Sequence, residues 1–215
     1  MAISTYTELQ DAIASWLHRS NLTTTIPDLI TLAEDELNAE LRLRVMEVDE
    51  TLTLTAGDNT VALPARYLEP VLLEIVWGGT QENERLTFLS PMQMTLQDSA
   101  NVAVEPEYWT VNGENIEFPE PADQNYTLRF RMLKRLDIAT DTTNYLLSNW
   151  RGLYLYGALL QSAPFIHDDA RMQTWGVMYE KLMRKVKNKE SRSKALATLR
   201  TDSPLLKSRS NIYRG

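Results

Sequence analysis

Cysteine is absent from the chain, and histidine occurs twice, as His18 and His167. Without thiols there is no disulfide, no thiolate nucleophile and no cysteine-ligated zinc, a composition that fits a reducing cytoplasm. Two histidines leave few nucleophile–base pairs. His18 closes a helical stretch, where an imidazole suits the negative end of the dipole. His167, Asp168 and Asp169 are consecutive, so their side chains do not readily converge on one ion, and no second histidine follows at a helical spacing. They read as the N-terminal cap of a helix. No apolar run is long enough to span a membrane. The opening MAISTYTELQ lacks the basic and apolar regions expected of a secretory signal. The eight glycines form no G-x-x-x-x-G-K-[ST], G-x-G-x-x-G or G-x-S-x-G pattern. The expectation is a non-enzymatic protein with no catalytic residue, cofactor, metal or membrane segment.

What is present is an ordinary hydrophobic fraction, 43%, and an uneven charge. The net charge is −7, yet residues 180–215 carry eleven Lys/Arg against three Asp/Glu. An acidic body therefore ends in a basic segment, which points to an acidic partner for that end. The run AEDELNAEL puts Glu36 and Glu40 one turn apart. A solvated acidic face is its ordinary meaning; a metal-assisted hydrolase would need these carboxylates beside His167–Asp169. Residues 181–194, KLMRKVKNKESRSK, carry cationic charge without an interleaved aromatic. A sequence-specific DNA reader is not expected, and the alternative is an accessory module making electrostatic phosphate contacts.

Periodicity changes twice along the chain. Thr5 and Glu8 form a capping box, followed by the stripe Tyr6, Leu9, Ile13, Trp16 and Leu17. A second helix begins at TIPD, with Pro27 in its first turn and Ile30, Ala33, Leu37 and Leu41 on one face. ETLTLTAGDNTVALP then alternates, turns at Gly57 and alternates again, which predicts a hairpin. EPVLLEIVWGG and ERLTFLS read as strands, and SPMQMTLQD as a short helix capped by Ser90. EYWTVNGENIEFP predicts a hairpin around Asn112-Gly113. NYTLRFRML alternates Tyr126, Leu128, Phe130 and Met132 with polar residues. Helical spacing returns near Thr143 and resumes after Pro164 with Met172, Trp175, Met178, Tyr179, Leu182 and Val186. Trp16, Trp150 and Trp175 fall on helix stripes and are expected in the core. Tyr108 and Trp109 are neighbours in a strand, so one of the two should face outward as a possible contact.

The expected fold class is α+β: a four-helix bundle core with an antiparallel β domain inserted between helices two and three, and an extended C-terminal arm. The expected boundaries are 1–48 and 139–196 for the two helical pairs, 49–138 for the β insertion, and 197–215 for the arm.

The order of TYTELQDAIASWLHRSNLTTTIPDLITLAEDELNAELR, LPARYLEP, PEYWTVNGENIEFPEP and YLYGALLQSAPFIHDD resembles the head-to-tail adaptor proteins of short-tailed bacteriophages. Pro119 and Pro121 hold the family's Pro-x-Pro after the second hairpin. RFRMLKRL departs from it, where an aromatic pair is expected. The resemblance implies a structural protein of the virion neck, assembled in the host cytoplasm. It implies a ring of about twelve copies between the portal and the tail nozzle or fibre proteins, with DNA passing through the lumen without sequence recognition. It also implies a C-terminal arm that reaches the portal or a neighbour. Leu205, Leu206, Lys207, Arg209, Ile212, Tyr213 and Arg214 are the residues expected to make that contact. An arm of this kind would bury ~400–600 Å² of apolar area, about 10 kcal/mol. Ordering its backbone costs roughly 15–25 kcal/mol. Apolar burial alone loses, so hydrogen bonds, ion pairs and many-copy avidity must add to it.

Overall fold

A computed structural model describes residues 3–18, 22–79, 81–97, 102–165 and 170–198, with side chains of the last helix to residue 191. The chain divides into two compact units: a helical one drawn from residues up to Leu43 and from Asp137 onward, and a β-rich one spanning Arg44–Leu136.

The helical unit contains α1 (Tyr6–Leu17), α2 (Ile26–Glu40), a short α4 (Ile138–Asp141), α5 (Tyr145–Gln161) and α6 (Arg171–Thr198). The first capping box is formed in full: Thr5 Oγ1 accepts from the Glu8 amide, and the Glu8 carboxylate accepts from the Thr5 amide. Asn144 caps α5 by accepting from the Leu147 amide at 2.8 Å.

The helices do not form the expected four-helix bundle core. α5 is central, packing against α1, α2 and α6, while α6 packs chiefly on α5. The reason lies in α5 itself. Its buried residues are Leu146, Leu147, Leu153, Tyr154, Leu155, Gly157, Ala158 and Leu159. They run round the helix instead of forming one stripe, and a helix apolar all round is enclosed by its neighbours. It also departs from helical geometry at Trp150 (φ −136°, ψ 39°). At Gly157 an added Cβ would stand 3.1 Å from the Ala33 Cβ of α2 and 3.3 Å from the Tyr179 ring of α6. Glycine there permits the close approach of both helices. On α6 the buried face is Trp175, Tyr179, Met183 and Val186; Met178 is exposed. Trp16, expected in the core, is 42% exposed and meets Tyr156 edge-on.

The β-rich unit holds two four-stranded sheets, and a short helix α3 (Pro91–Met94) lies within it. That short helix stands where SPMQMTLQD predicts one, with Ser90 as its cap. One sheet has the order β1 (Glu47–Leu54), β8 (Tyr126–Lys134), β3 (Tyr67–Ile75), β4 (Glu84–Arg85). The other runs β2 (Thr60–Ala62), β7 (Asn115–Glu117), β6 (Tyr108–Asn112), β5 (Thr87–Phe88). Its β5–β6 pair is parallel, so the unit is not wholly antiparallel.

The first predicted hairpin is not one. β1 pairs with β8 and β2 with β7, in different sheets. The turn amides are drawn elsewhere: the Ala56 amide donates to Asn125 Oδ1 and the Gly57 amide to the Ala122 carbonyl. ERLTFLS likewise splits into β4 and β5 in separate sheets. The second hairpin is present, β6 pairing with β7 across Gly113 at φ 59°.

β8 buries Tyr126, Leu128, Phe130 and Met132 against Leu73, Ile75, Trp109 and Ile116. On its other face Arg131 is bidentate to Asp49, directly opposite on β1, and Arg129 pairs with Glu74 of β3. Arg129 and Arg131 of RFRMLKRL thus serve cross-strand ion pairs on the partly exposed face.

Candidate interaction surface

In the β-rich unit, the segment leading into β6 is held at its edge. Val104 bridges to Ala122, its amide donating to the Pro121 carbonyl at 2.9 Å. The Val102 amide donates to a Glu120 carboxylate oxygen at 3.2 Å. β6 then alternates, as a strand must. Trp109 points inward, 2% exposed, its indole N–H donating to the Leu86 carbonyl at 3.3 Å. It meets Phe88 and Phe130 edge-on. Trp109 is therefore a core residue and not a contact. Tyr108 is half-buried and lines a pocket of about 310 Å³ with Val104, Glu105, Glu107 and Glu120.

The lining of this pocket is apolar and acidic together: Val104, Pro106, Tyr108 and Pro119 beside Glu105, Glu107 and Glu120. Elsewhere in the same stretch of sequence Phe88, Met92, Leu96 and Val102 are between 48% and 77% exposed. From Leu86 to Leu128 the sequence contains no lysine or arginine and seven Asp/Glu. The carboxyl of Glu105 is pushed above the usual range, first by burial, then by its hydrogen bond with Glu84 and the charges of Glu84, Asp123 and Glu107. Crowded carboxylates of this kind repel phosphate and favour a cation.

The helical unit uses its charges on itself. Glu34, read from the sequence as part of an acidic face, is 7% exposed. Its carboxylate accepts from the Tyr154 hydroxyl at 2.7 Å and from the Ile138 amide at 3.0 and 3.1 Å. The Tyr154 hydroxyl in turn accepts from Asn144 Nδ2 at 2.6 Å. Burial, then the charge and hydrogen bond of Glu34, hold that hydroxyl protonated. A sequence signal existed: Glu34 stands four residues after Ile30 and three before Leu37, on the buried stripe.

Glu36 and Glu40, the candidate carboxylate pair, have separate partners. Glu36 accepts from Gln161 at 3.2 Å and Glu40 from Lys187 at 2.5 Å. Lys189 donates to the Tyr145 hydroxyl at 3.0 Å and lies 5.7 Å from the Tyr145 and Trp150 ring centres. Part of the cationic run 181–194 is thus engaged within its own unit. His18 ends α1 in the left-handed region at φ 52°, its amide donating to the Ser15 carbonyl.

His167, Asp168 and Asp169 fall outside the described residues, as do Leu205, Leu206, Lys207, Arg209, Ile212, Tyr213 and Arg214. Among the described residues no group of three or more His, Cys, Asp or Glu could hold a metal ion. No helix among them is long and apolar enough to cross a membrane. The arrangement offers surface for a protein contact: a pocket, exposed apolar side chains and one sign of charge.

Residues 4–202 match the family model described as SU10 adaptor protein. No curated protein matches the chain.

Proposed function

The chain belongs to the SU10 adaptor protein family, and on that footing we propose that it is a structural, non-enzymatic protein of a bacteriophage virion. It acts as a head-to-tail adaptor in the neck. Copies form a ring of about twelve between the portal and the tail components, and DNA passes through the ring without sequence recognition. The family match, which covers almost the whole chain, carries this reading.

Two features support it. The β-rich unit presents an apolar, acidic surface suited to a protein partner. The acidic excess of residues 1–179 would give the ring a low affinity for phosphate, so that the duplex passes without being gripped. The basic, apolar C-terminal residues act as an arm that orders on a neighbouring surface, either the portal or the next copy. Many weak arms in one ring gain avidity that a single peptide lacks.

The test is a mass measurement of the full chain with and without purified portal. A ring-sized increase with portal is expected, and deletion of residues 200–215 abolishes docking. Equal docking by the shortened chain removes the arm from the mechanism. No association of the full chain with portal removes the adaptor reading itself.

A further inference from the structure

A ring built from one chain closes through head-to-tail contacts, in which one patch of a copy meets a different patch of the next. We propose that the pocket bounded by Val104, Glu105, Glu107, Tyr108 and Glu120 receives the C-terminal residues 201–215 of a second copy, an inference that rests on the ring reading above. The apolar side chains of Leu205, Leu206, Ile212 and Tyr213 supply the occupant of the pocket. Lys207, Arg209 and Arg214 supply the cations that meet its carboxylates.

The argument is one of matched chemistry. The pocket holds about 310 Å³, the volume of about ten waters, enough for large side chains and too small for a folded element. Its rim bears Glu105, Glu107 and Glu120, and no cation occurs in the sequence from Leu86 to Leu128. The segment 201–215 carries three Lys/Arg against Asp202 alone, with four large apolar residues among them. An apolar lining alone would accept many partners; three carboxylates in that lining select cationic ones. The same rim disfavours DNA as occupant, because carboxylates repel phosphate. Burial first, and then the neighbouring carboxylates, raise the Glu105 carboxyl; an arriving lysine or arginine offsets the second of these, so docking should strengthen as Glu105 ionises. The groups that face Glu105 in that titration are Glu84, Asp123 and Glu107.

The absence of cysteine allows a direct trial. One full-length chain carries Val104→Cys and an affinity tag; an untagged chain carries Leu206→Cys. The two are mixed under mild oxidation and resolved without reductant. A control pair uses Val71→Cys, which is exposed on β3. The Val104–Leu206 heterodimer is expected to form about tenfold faster than the control. Adding Glu105→Lys and Glu107→Lys should slow it about tenfold, the effect of replacing two attractive charges by repulsive ones. Leu96→Cys, 76% exposed and next in sequence to Gln97 of the pocket lining, repeats the trial if Val104→Cys folds poorly.

Equal rates for pocket and control overturn the inference. So does cross-linking only within a single chain that carries both cysteines. The same variants are weighed with portal: docking without pocket cross-links sinks this acceptor site and leaves the adaptor reading standing, whereas cross-links without docking do the reverse.

Discussion

Replacing Tyr154 with phenylalanine removes one oxygen from the centre of the helical unit and leaves the ring in place. That oxygen donates to Glu34 at 2.7 Å and accepts from Asn144 at 2.6 Å. The first bond is to a charged acceptor, about 1.5–3 kcal/mol, and the second is neutral, about 0.5–1.5 kcal/mol. Asn144 also caps α5 through its other side-chain atom, so any reorientation weakens a cap of about 1 kcal/mol. No cavity opens, since the aromatic ring remains. The loss expected for Tyr154→Phe is therefore about 2–4 kcal/mol, a fall in melting temperature of about 5–15 °C. Urea unfolding followed by far-ultraviolet circular dichroism measures it, with hydrogen exchange of α5 amides to localise the loss to the helical unit. A double-mutant cycle with Glu34→Gln should return a coupling of about 1–2 kcal/mol, because both changes act on one hydrogen bond. A loss for Tyr154→Phe below about 0.5 kcal/mol, or strictly additive effects, would refute the idea that this network ties α2, α4 and α5 together.

Two more outcomes follow from the packing and the tyrosines. Gly157→Ala should destabilise by about 1 kcal/mol: overpacking against the Ala33 Cβ outweighs the gain in helix propensity. Gly176→Ala, whose added Cβ meets nothing nearer than 4.0 Å, should stabilise by about 0.5–1 kcal/mol; thermal melts of the pair that fail to diverge in sign contradict the close approach. At high pH, burial pushes Tyr67 and Tyr126 up to about 12 and also raises Tyr154 and Tyr179. Their folded values exceed the ordinary 10.0, so the stability they contribute is whole below pH 10 and is lost as pH rises towards 12. Urea midpoints measured alongside tyrosinate absorbance check this, and midpoints flat from pH 10 to 12 would contradict it.

Local signals in the sequence transferred to the structure where they stood close together along the chain. The Thr5–Glu8 box needs three residues, the Asn112-Gly113 turn needs two, and the alternation of β8 places Tyr126, Leu128, Phe130 and Met132 inside without reference to any partner. What was not legible depends on contacts distant in sequence. Alternation on both sides of Gly57 has the same appearance whether the strands pair with each other or with β8 and β7. The choice was made by amide bonds to Ala122 and Asn125, some seventy residues away. α5 differs from expectation for a related reason: LYLYGALL is apolar on every side, and such a helix is enclosed by its neighbours instead of standing as one member of a bundle. Glu34 shows the cost of reading a charge by its neighbours in sequence, since Asp35 and Glu40 are exposed while its own partners, Tyr154 and Ile138, come from beyond residue 136.

The candidate surface divides along the same line. That Tyr108 and Trp109 point to opposite sides follows from strand geometry alone. Which of them is sealed depends on Leu86, Phe88 and Phe130, brought together by a strand that changes sheets at Leu86. The acidic rim is the opposite case. A stretch from Leu86 to Leu128 without a single cation is visible in the sequence, yet its meaning emerges only when folding gathers Glu105, Glu107 and Glu120 around one apolar pocket. Charge of one sign spread along an extended chain is solvated and screened; gathered within a few ångströms of apolar surface it becomes a demand for a partner of the opposite sign. The basic, apolar residues from 201 onward satisfy that demand in composition, so a second copy of the chain carries its own matching occupant.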